Sequence, residues 1–351
     1  KNRRLVFDLL RERGQMSRAE ITRDTGMSFP TAMKVVDAFL EKGLLVELDE
    51  TGPAAGAGRK GRLLRFEPGA YRAVGVECEG RFARVGLADM AGGVQARETI
   101  ELGDFARTRD LSPLAAAIRR MCAAANGAPV LGVCIGFPAN LDPDAAAIVS
   151  YAAMDIQQPT SFAQVFPAFW REVELPVYLE NDANLACEGE AFLRRGAGGA
   201  ANMLYLSIGS GCGGAVRLDG KLRRGARCRA GEVGAMLLQP ALGAPGRSAA
   251  RETLEDAVCL AALERRFGAA LRDGAQPGEA SPQAMRDYLC GPLSGAVYSL
   301  VMTLDVELCV LAGIVPGALG MQLCTQVSEA LRAALPESTP VRVEPSVSAD
   351  A

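Results

Sequence analysis

Hydrophobic and polar positions fall first into a short helical passage, then into two rounds of strands followed by a helix and a strand. Ser17 with Glu20 three residues on is the reciprocal capping-box pair of a helix start. Ala19 and Ile21 supply that helix's apolar side, and Gly26 ends it, because glycine accepts a positive φ. Ser28 then stands as N-cap of a second helix over residues 29–42, with Pro30 in a first turn that needs no N–H. Met33, Val36, Phe39 and Leu40 recur at helical spacing and predict its buried stripe. Residues 43–48 and 61–66 read as two strands joined by a loop of Gly, Pro and Ala. Together these predict a winged helix-turn-helix over residues 1–67.

Beyond Pro68-Gly69 the period changes to two. Residues 73–77, 81–87 and 94–101 read as strands, 111–126 as a helix and 130–137 as a near-continuous apolar strand. The same order returns in residues 203–208 and 213–218, a turn at Asp219-Gly220, a helix over 252–267 and an apolar strand over 308–312. Gly317 leads into a last helix ending near Leu335. Two βββαβ units predict an α/β body of two lobes, residues 71–185 and 186–351, with an effector cleft between them.

The polar face of the second helix begins with Ser28, Thr31 and Lys34, small or cationic groups at the end that a recognition helix presents to base edges and phosphates. The wing loop ends in Gly58-Arg59-Lys60-Gly61-Arg62, three cations among glycines that suit a narrow minor groove. Charge is asymmetric. Residues 1–66 hold 13 Lys/Arg and 9 Asp/Glu, a balance of +4, within a chain of net −3. The remainder therefore carries −7, so a basic head sits on an acidic body, which favours a double-stranded DNA partner for the head.

The chain has no histidine, which excludes imidazole metal ligands, a Ser-His-Asp triad and a histidine pH switch. Its 10 cysteines lie far apart with no C-x-x-C pair, several within apolar runs such as Val133-Cys134-Ile135, so a reduced, cytoplasmic protein is expected. No run of apolar residues is long enough to span a bilayer, and no membrane association is expected. The chain opens at Lys1 rather than Met, which suggests trimmed termini.

These features resemble the ROK family (repressors, open reading frames and sugar kinases), built on the actin/hexokinase-like, ribonuclease-H-type fold. Glu180-Asn181-Asp182-Ala183-Asn184 with Gly189-Glu190 is similar to the family's sugar-binding segment. Gly209-Ser210-Gly211-Cys212-Gly213-Gly214 is similar to its second phosphate loop. Ala230-Gly231-Glu232-Val233-Gly234 and Leu254-Glu255 resemble segments that supply hydroxyl-binding carboxylates. The resemblance implies a sugar effector at Asn181, Asp182, Glu232 and Glu255, and a homo-oligomer, dimer or tetramer, on a palindromic A·T-containing operator. Lobe closure on the sugar would then respace two recognition helices that must match half-sites about 34–36 Å apart. Other readings of the same residues remain: Asn181-Asp182 as a helix cap, Glu255 as a first-turn carboxylate favoured by the helix dipole, and the glycine run as a tight hairpin entrance.

Departures from the family pattern carry equal weight. Where family kinases place an Asp-x-Gly-Gly-Thr phosphate loop, this chain has Glu77-Cys78-Glu79-Gly80-Arg81. Backbone approach to a phosphate is lost there, and two like charges ~4 Å apart repel by about 4 kcal/mol at an effective dielectric near 20. Arg81 is the cation expected to soften that repulsion. Phosphotransfer and a catalytic residue are therefore not expected, although Asp182 stands where the family has its general base. The family's zinc ligands are replaced by Ala235 and by Gly246-Arg247-Ser248-Ala249-Ala250-Arg251-Glu252-Thr253, and a sugar-contacting Asn by Ala153, so neither a metal nor a cofactor is expected. The expected function is a sugar-responsive, DNA-binding transcriptional regulator, most simply a repressor. The alternatives are a sugar kinase with a DNA-binding head, or a regulator whose body only dimerises.

Overall fold

The computed structural model describes residues 2–51, 62–194, 199–238, 252–268 and 281–348. The chain divides into two compact units, residues 1–137 with 143–180, and residues 138–142 with 181–351. The first 67 residues and the first sheet of the body thus share one unit, and the division falls at Glu180/Asn181 rather than after residue 185.

In the first unit, α1 (Asn2–Arg13), α2 (Arg18–Thr25) and α3 (Phe29–Glu41) precede a small antiparallel sheet. Its strands β1 (Gln15–Ser17), β2 (Leu45–Thr51) and β3 (Arg62–Phe66) lie in the order β1-β3-β2. The capping box of α2 is present: Glu20 N–H donates to Ser17 Oγ at 3.3 Å, and Ser17 N–H to Glu20 Oε2 at 2.8 Å. Gly26 closes α2 at φ 66°. Ser28 has the extended backbone of an N-cap but makes no side-chain cap bond; its hydroxyl lies 2.9 Å from Thr31 Oγ1. The buried stripe of α3 is Ala32, Val35, Val36 and Phe39, with Met33 and Leu40 only partly covered at its margins. Phe7 of α1 stands edge-on to Phe39 and Phe66, tying helix and sheet into one core with Leu10, Ile21 and Leu64.

A single 3-10 turn, Pro68–Ala70, leads from this head into the body. Tyr71 Oη donates to the carbonyl of Lys42, the C-cap of α3, at 3.1 Å. Met90 packs against the head's apolar cluster, and its N–H bonds the Pro68 carbonyl at 3.1 Å. The body sheet then forms from β4 (Arg72–Glu79), β5 (Phe82–Asp89), β6 (Val94–Glu101), β7 (Val130–Phe137) and β8 (Val177–Asn181), in the order β8-β7-β4-β5-β6. Helix α4 (Ser112–Ala124) buries Leu114, Ala117, Ile118 and Met121 as it crosses from β6 to β7. Rings of Phe105, Tyr151, Phe162 and Phe166 gather around Phe137 at the end of β7.

In the second unit α5 (Asp182–Leu193) precedes β9 (Met203–Ile208), β10 (Cys212–Leu218) and β11 (Lys221–Arg223). With β12 (Leu308–Ala312) and β13 (Arg342–Pro345) they form a sheet in the order β11-β10-β9-β12-β13. Each five-stranded sheet therefore has a meander of three strands, with a fourth laid parallel beside the first, β7 on β4 and β12 on β9. That repeated order is the duplication.

The helical parts of this unit differ from expectation. Residues 252–267 form two helices, α6 (Leu254–Val258) and α7 (Leu260–Phe267), because Cys259 is extended and Leu260 N–H bonds Gly209 O at 2.8 Å. The helix entering β12 is α8 (Pro282–Leu304), which continues through Pro292. The last helix is also divided, into α9 (Ile314–Leu319) and α10 (Met321–Ala334), at Gly320 with φ 70°. All ten cysteines are free, and burial pushes the thiols of Cys187 and Cys212 up to about 12, which leaves them inert. Among the described residues no helix is long and apolar enough to cross a membrane.

Candidate nucleic-acid interface and effector-site residues

The start of α3 presents an exposed polar surface of the head. Ser28, Phe29, Pro30 and Lys34 are exposed and Thr31 half-buried, while the opposite face of the helix fills the core. An open depression of about 700 Å³ is lined by Asn2, Arg3, Pro30, Thr31, Lys34 and Val35. Two of the predicted residues, Thr31 and Lys34, thus meet Asn2 and Arg3 from α1, which sequence reasoning passed over. A run of cations at the start of an amphipathic helix was the available signal. Arg59 and Lys60 of the expected wing tip lie outside the described residues. Arg62 opens β3 with its side chain exposed, 3.4 Å from Glu47 Oε2. Glu47 is also paired with Arg18, and that hydrogen bond holds its carboxyl below the usual carboxylate range.

The effector-site residues expected in the second unit are reached through one glycine loop. Asn181 N-caps α5, its Oδ1 accepting Asn184 N–H at 3.1 Å while its amide donates to Ala139 O at 3.3 Å. Asp182 Oδ1 accepts Ala183 N–H at 2.9 Å. A Cβ added to Gly213 would touch Ala183 Cβ at 3.6 Å, so the loop abuts the start of α5. Glu255, in the first turn of α6, accepts Cys212 N–H at 2.8 Å. Glu232 is exposed just before the 3-10 turn Val233–Ala235. A Cβ on Gly231 would meet Gly214 O at 2.4 Å and one on Gly234 would meet Cys212 O at 2.1 Å, so this segment lies on the backbone of β10. The loop itself is a closed turn, Gly209 N–H bonding Gly211 O at 2.9 Å. With its Cys212 amide donating to a carboxylate, the loop has one fewer N–H for an incoming anion.

Glu190 takes a structural place. Fully buried, it accepts bonds from Arg194 Nε at 2.7 Å, Ser346 Oγ at 2.7 Å and Val347 N–H at 2.9 Å. Arg194 also binds Glu344 and the Pro345 carbonyl, so the pair straps residues 344–348 onto α5.

The first-lobe turn places two carboxylates together. Glu79 and Glu77 both face Arg84, at 2.5 and 3.5 Å, whereas Arg81 turns away to Glu101 at 3.1 Å. Arg84, not Arg81, is therefore the cation that offsets this charge. The β4–β5 register explains it, since Glu77 lies directly opposite Arg84 and Arg81 falls in the turn. Desolvation raises the Glu77 carboxyl above its ordinary value; Arg84 opposes the shift and Glu79 adds to it.

A profile described as the ROK family matches residues 73–351. The chain belongs to the ROK family. Among curated relatives, a xylose repressor of Caldicellulosiruptor bescii is 27% identical over 237 residues, 66% of this chain and 57% of that protein. A glucokinase of Halalkalibacterium halodurans is 34% identical over 141 residues, 38% of this chain and 40% of that one. The chain thus spans about half the length of the curated relatives it matches. A solved ROK family transcriptional regulator, a homologue of the E. coli MLC protein, superposes over 98% of this chain and 91% of its own with a TM-score of 0.76 at 17% identity. The ROK hexokinase of Thermus thermophilus covers 78% of this chain and 92% of its own, with a TM-score of 0.59 at 24% identity. At these identities the likeness is one of fold.

The zinc that the ROK resemblance implies does not fit the residues described. Ala235, in the place of a ligand, is the exposed last residue of a turn whose Val233 and Gly234 are buried, with only a methyl group to offer. Of residues 246–253, which replace the cysteine run, 246–251 lie outside the described residues. Among the described residues no three His, Cys, Asp or Glu side chains are grouped to hold a metal.

Proposed function

We propose that this chain is a sequence-specific DNA-binding regulator of transcription, a repressor whose body responds to a sugar or sugar derivative. The reading rests chiefly on one observation. The fold likeness to a ROK transcriptional regulator runs over 98% of the chain, head included, whereas that to a ROK hexokinase stops at 78%. The head reads as a winged helix-turn-helix: α2, the Gly26 turn and α3, followed by a three-stranded sheet, with Ser28, Thr31 and Lys34 exposed or half-exposed at the start of α3. The xylose repressor relative supports the regulatory half.

Asn181, Asp182, Glu232 and Glu255 are the proposed effector groups, because three separate segments bring them to the loop of residues 209–214. Carboxylates and an amide accept and donate to adjacent sugar hydroxyls, and charge-assisted bonds are about twice as strong as neutral ones. An effector that binds the DNA-free form more tightly releases the operator by that difference in affinity. The protein acts as a two-fold homo-oligomer, so its operator is palindromic.

A kinase reading draws on the glucokinase relative. Against it stand Glu77 and Glu79 in the first turn and the loop amide already bonded to Glu255. Operator fragments selected from genomic DNA and titrated against a sugar library test the proposal. One sugar weakening the complex at fixed salt is the expected result. Sugar-dependent release of ADP from ATP, lost in Asp182→Asn, would establish the kinase instead.

A further inference from the structure

We infer that the depression formed by α1 and α3 is a seat for the sugar–phosphate backbone of the duplex, with Arg3 as a phosphate-contacting residue alongside Lys34. The inference rests on the DNA-binding reading above and adds the first turn of α1, which the recognition-helix and wing pattern does not include.

Charge pairing within the head carries the argument. Arg4 and Arg11 pair with Asp8, Arg13 and Arg23 with Asp24, Arg18 and Arg62 with Glu47, and Arg65 with Glu67. Among the described residues of the head, only Arg3, Lys34 and Lys42 are cations without a carboxylate within ion-pair distance. Two of these three line the same depression, and no carboxylate lines it. Its other walls are the Thr31 hydroxyl and the Asn2 side chain, which donate to phosphate oxygens, and Pro30 and Val35, which suit the apolar edge of a sugar.

Shape points the same way. The depression is open and, at about 700 Å³, takes a stretch of backbone rather than one small ion. Helix α1 reaches it because Val6 and Leu10 pack into the head core and leave the first turn, with Arg3, exposed beside α3. A helix that flanks the recognition helix and holds phosphates fixes the register in which Ser28 and Thr31 meet base edges.

The test uses the full chain and a labelled mixed-sequence duplex, with affinity measured by anisotropy across a salt series. Each lost phosphate contact lowers the slope of log K against log salt by about 0.9. Arg3→Gln and Lys34→Gln are each expected to remove about one such unit, and the double variant about two. Arg3→Lys keeps the slope, and Arg332→Ala, an exposed cation of the second unit, leaves it unchanged. Melting curves identical to wild type exclude misfolding, since both side chains are exposed. If wild type binds the duplex and Arg3→Gln retains its slope and affinity, the backbone seat is refuted while the DNA-binding reading stands. If wild type retains no duplex at low salt, the DNA-binding reading fails and the seat with it.

Discussion

Replacing Arg194 by Met should destabilise the second unit by about 3 kcal/mol. Glu190 is fully buried, and Arg194 is its cation, with Nε 2.7 Å from Oε1. Methionine keeps most of the length and volume of the side chain but leaves the carboxylate in the interior without a counter-charge. Breaking a buried pair from one side costs about 3–5 kcal/mol. The lower end applies here because Ser346 Oγ and Val347 N–H still donate to Glu190, at 2.7 and 2.9 Å. With a urea slope of about 1–3 kcal/mol per molar, the midpoint should fall by about 1–3 M. Far-UV circular dichroism is the suitable probe, because the single tryptophan, Trp170, belongs to the first unit and follows that unit instead. Adding Glu190→Gln to the Met variant should recover at least half of the loss, since a neutral amide still accepts from Val347 and donates to a serine. An unshifted midpoint in Arg194→Met, or no recovery in the double variant, would refute the strap as a charge-dependent device.

Ser17→Ala should cost about 1 kcal/mol at neutral pH by removing the cap of α2. Backbone and hydroxyl hydrogen bonds from Ser17 hold the Glu20 carboxyl below its ordinary 4.5; alanine keeps the backbone bond, so only the share carried by the hydroxyl–carboxylate bond depends on pH, complete above that value and fading as pH falls through the lower folded one. Melting curves should therefore separate wild type from variant most at pH 7 and draw closer, without meeting, as pH falls below that ordinary value. Gly234→Ala should destabilise by about 1–3 kcal/mol or more, because its Cβ would lie 2.1 Å from Cys212 O, while Gly209→Ala, with nothing within 4 Å, should be nearly neutral in the same urea titration. Calorimetry with Mg·ATP should show no heat of binding, and micromolar affinity would overturn the account of the Glu77–Glu79 turn.

Local chemistry was legible where one residue decides a conformation. The Ser17–Glu20 box, the left-handed Gly26 and the apolar strands at residues 130–137, 203–208 and 308–312 were all readable, because each depends on neighbours in sequence. Partners across space were not. Arg81 is closer to Glu79 in the chain than Arg84 is, but strand register aims Arg84 at both carboxylates. A single helix over 252–267 looked continuous because the break at Cys259 comes from a bond to Gly209, fifty residues away. The helix α8 over Pro282–Leu304, with Pro292 in its interior, was not among the expected elements. Asn181 caps α5 in the structure, and a cap can also hold a ligand, so spacing alone could not have chosen between the helix-cap and sugar-binding readings.

The Tyr71 hydroxyl on the last carbonyl of α3, and Met90 seated among the head's apolar side chains, leave no slack between reading head and first sheet. A loosely tethered head would average its orientation thermally and, on the proposed function, report little of an effector bound by the body. These two contacts join the head to β4 and to the end of β5, so on the proposed function a rotation of that sheet would be passed to α3. If the proposed function holds, Tyr71→Phe and Met90→Ala should blunt the effect of a sugar on operator binding more than they weaken operator binding itself.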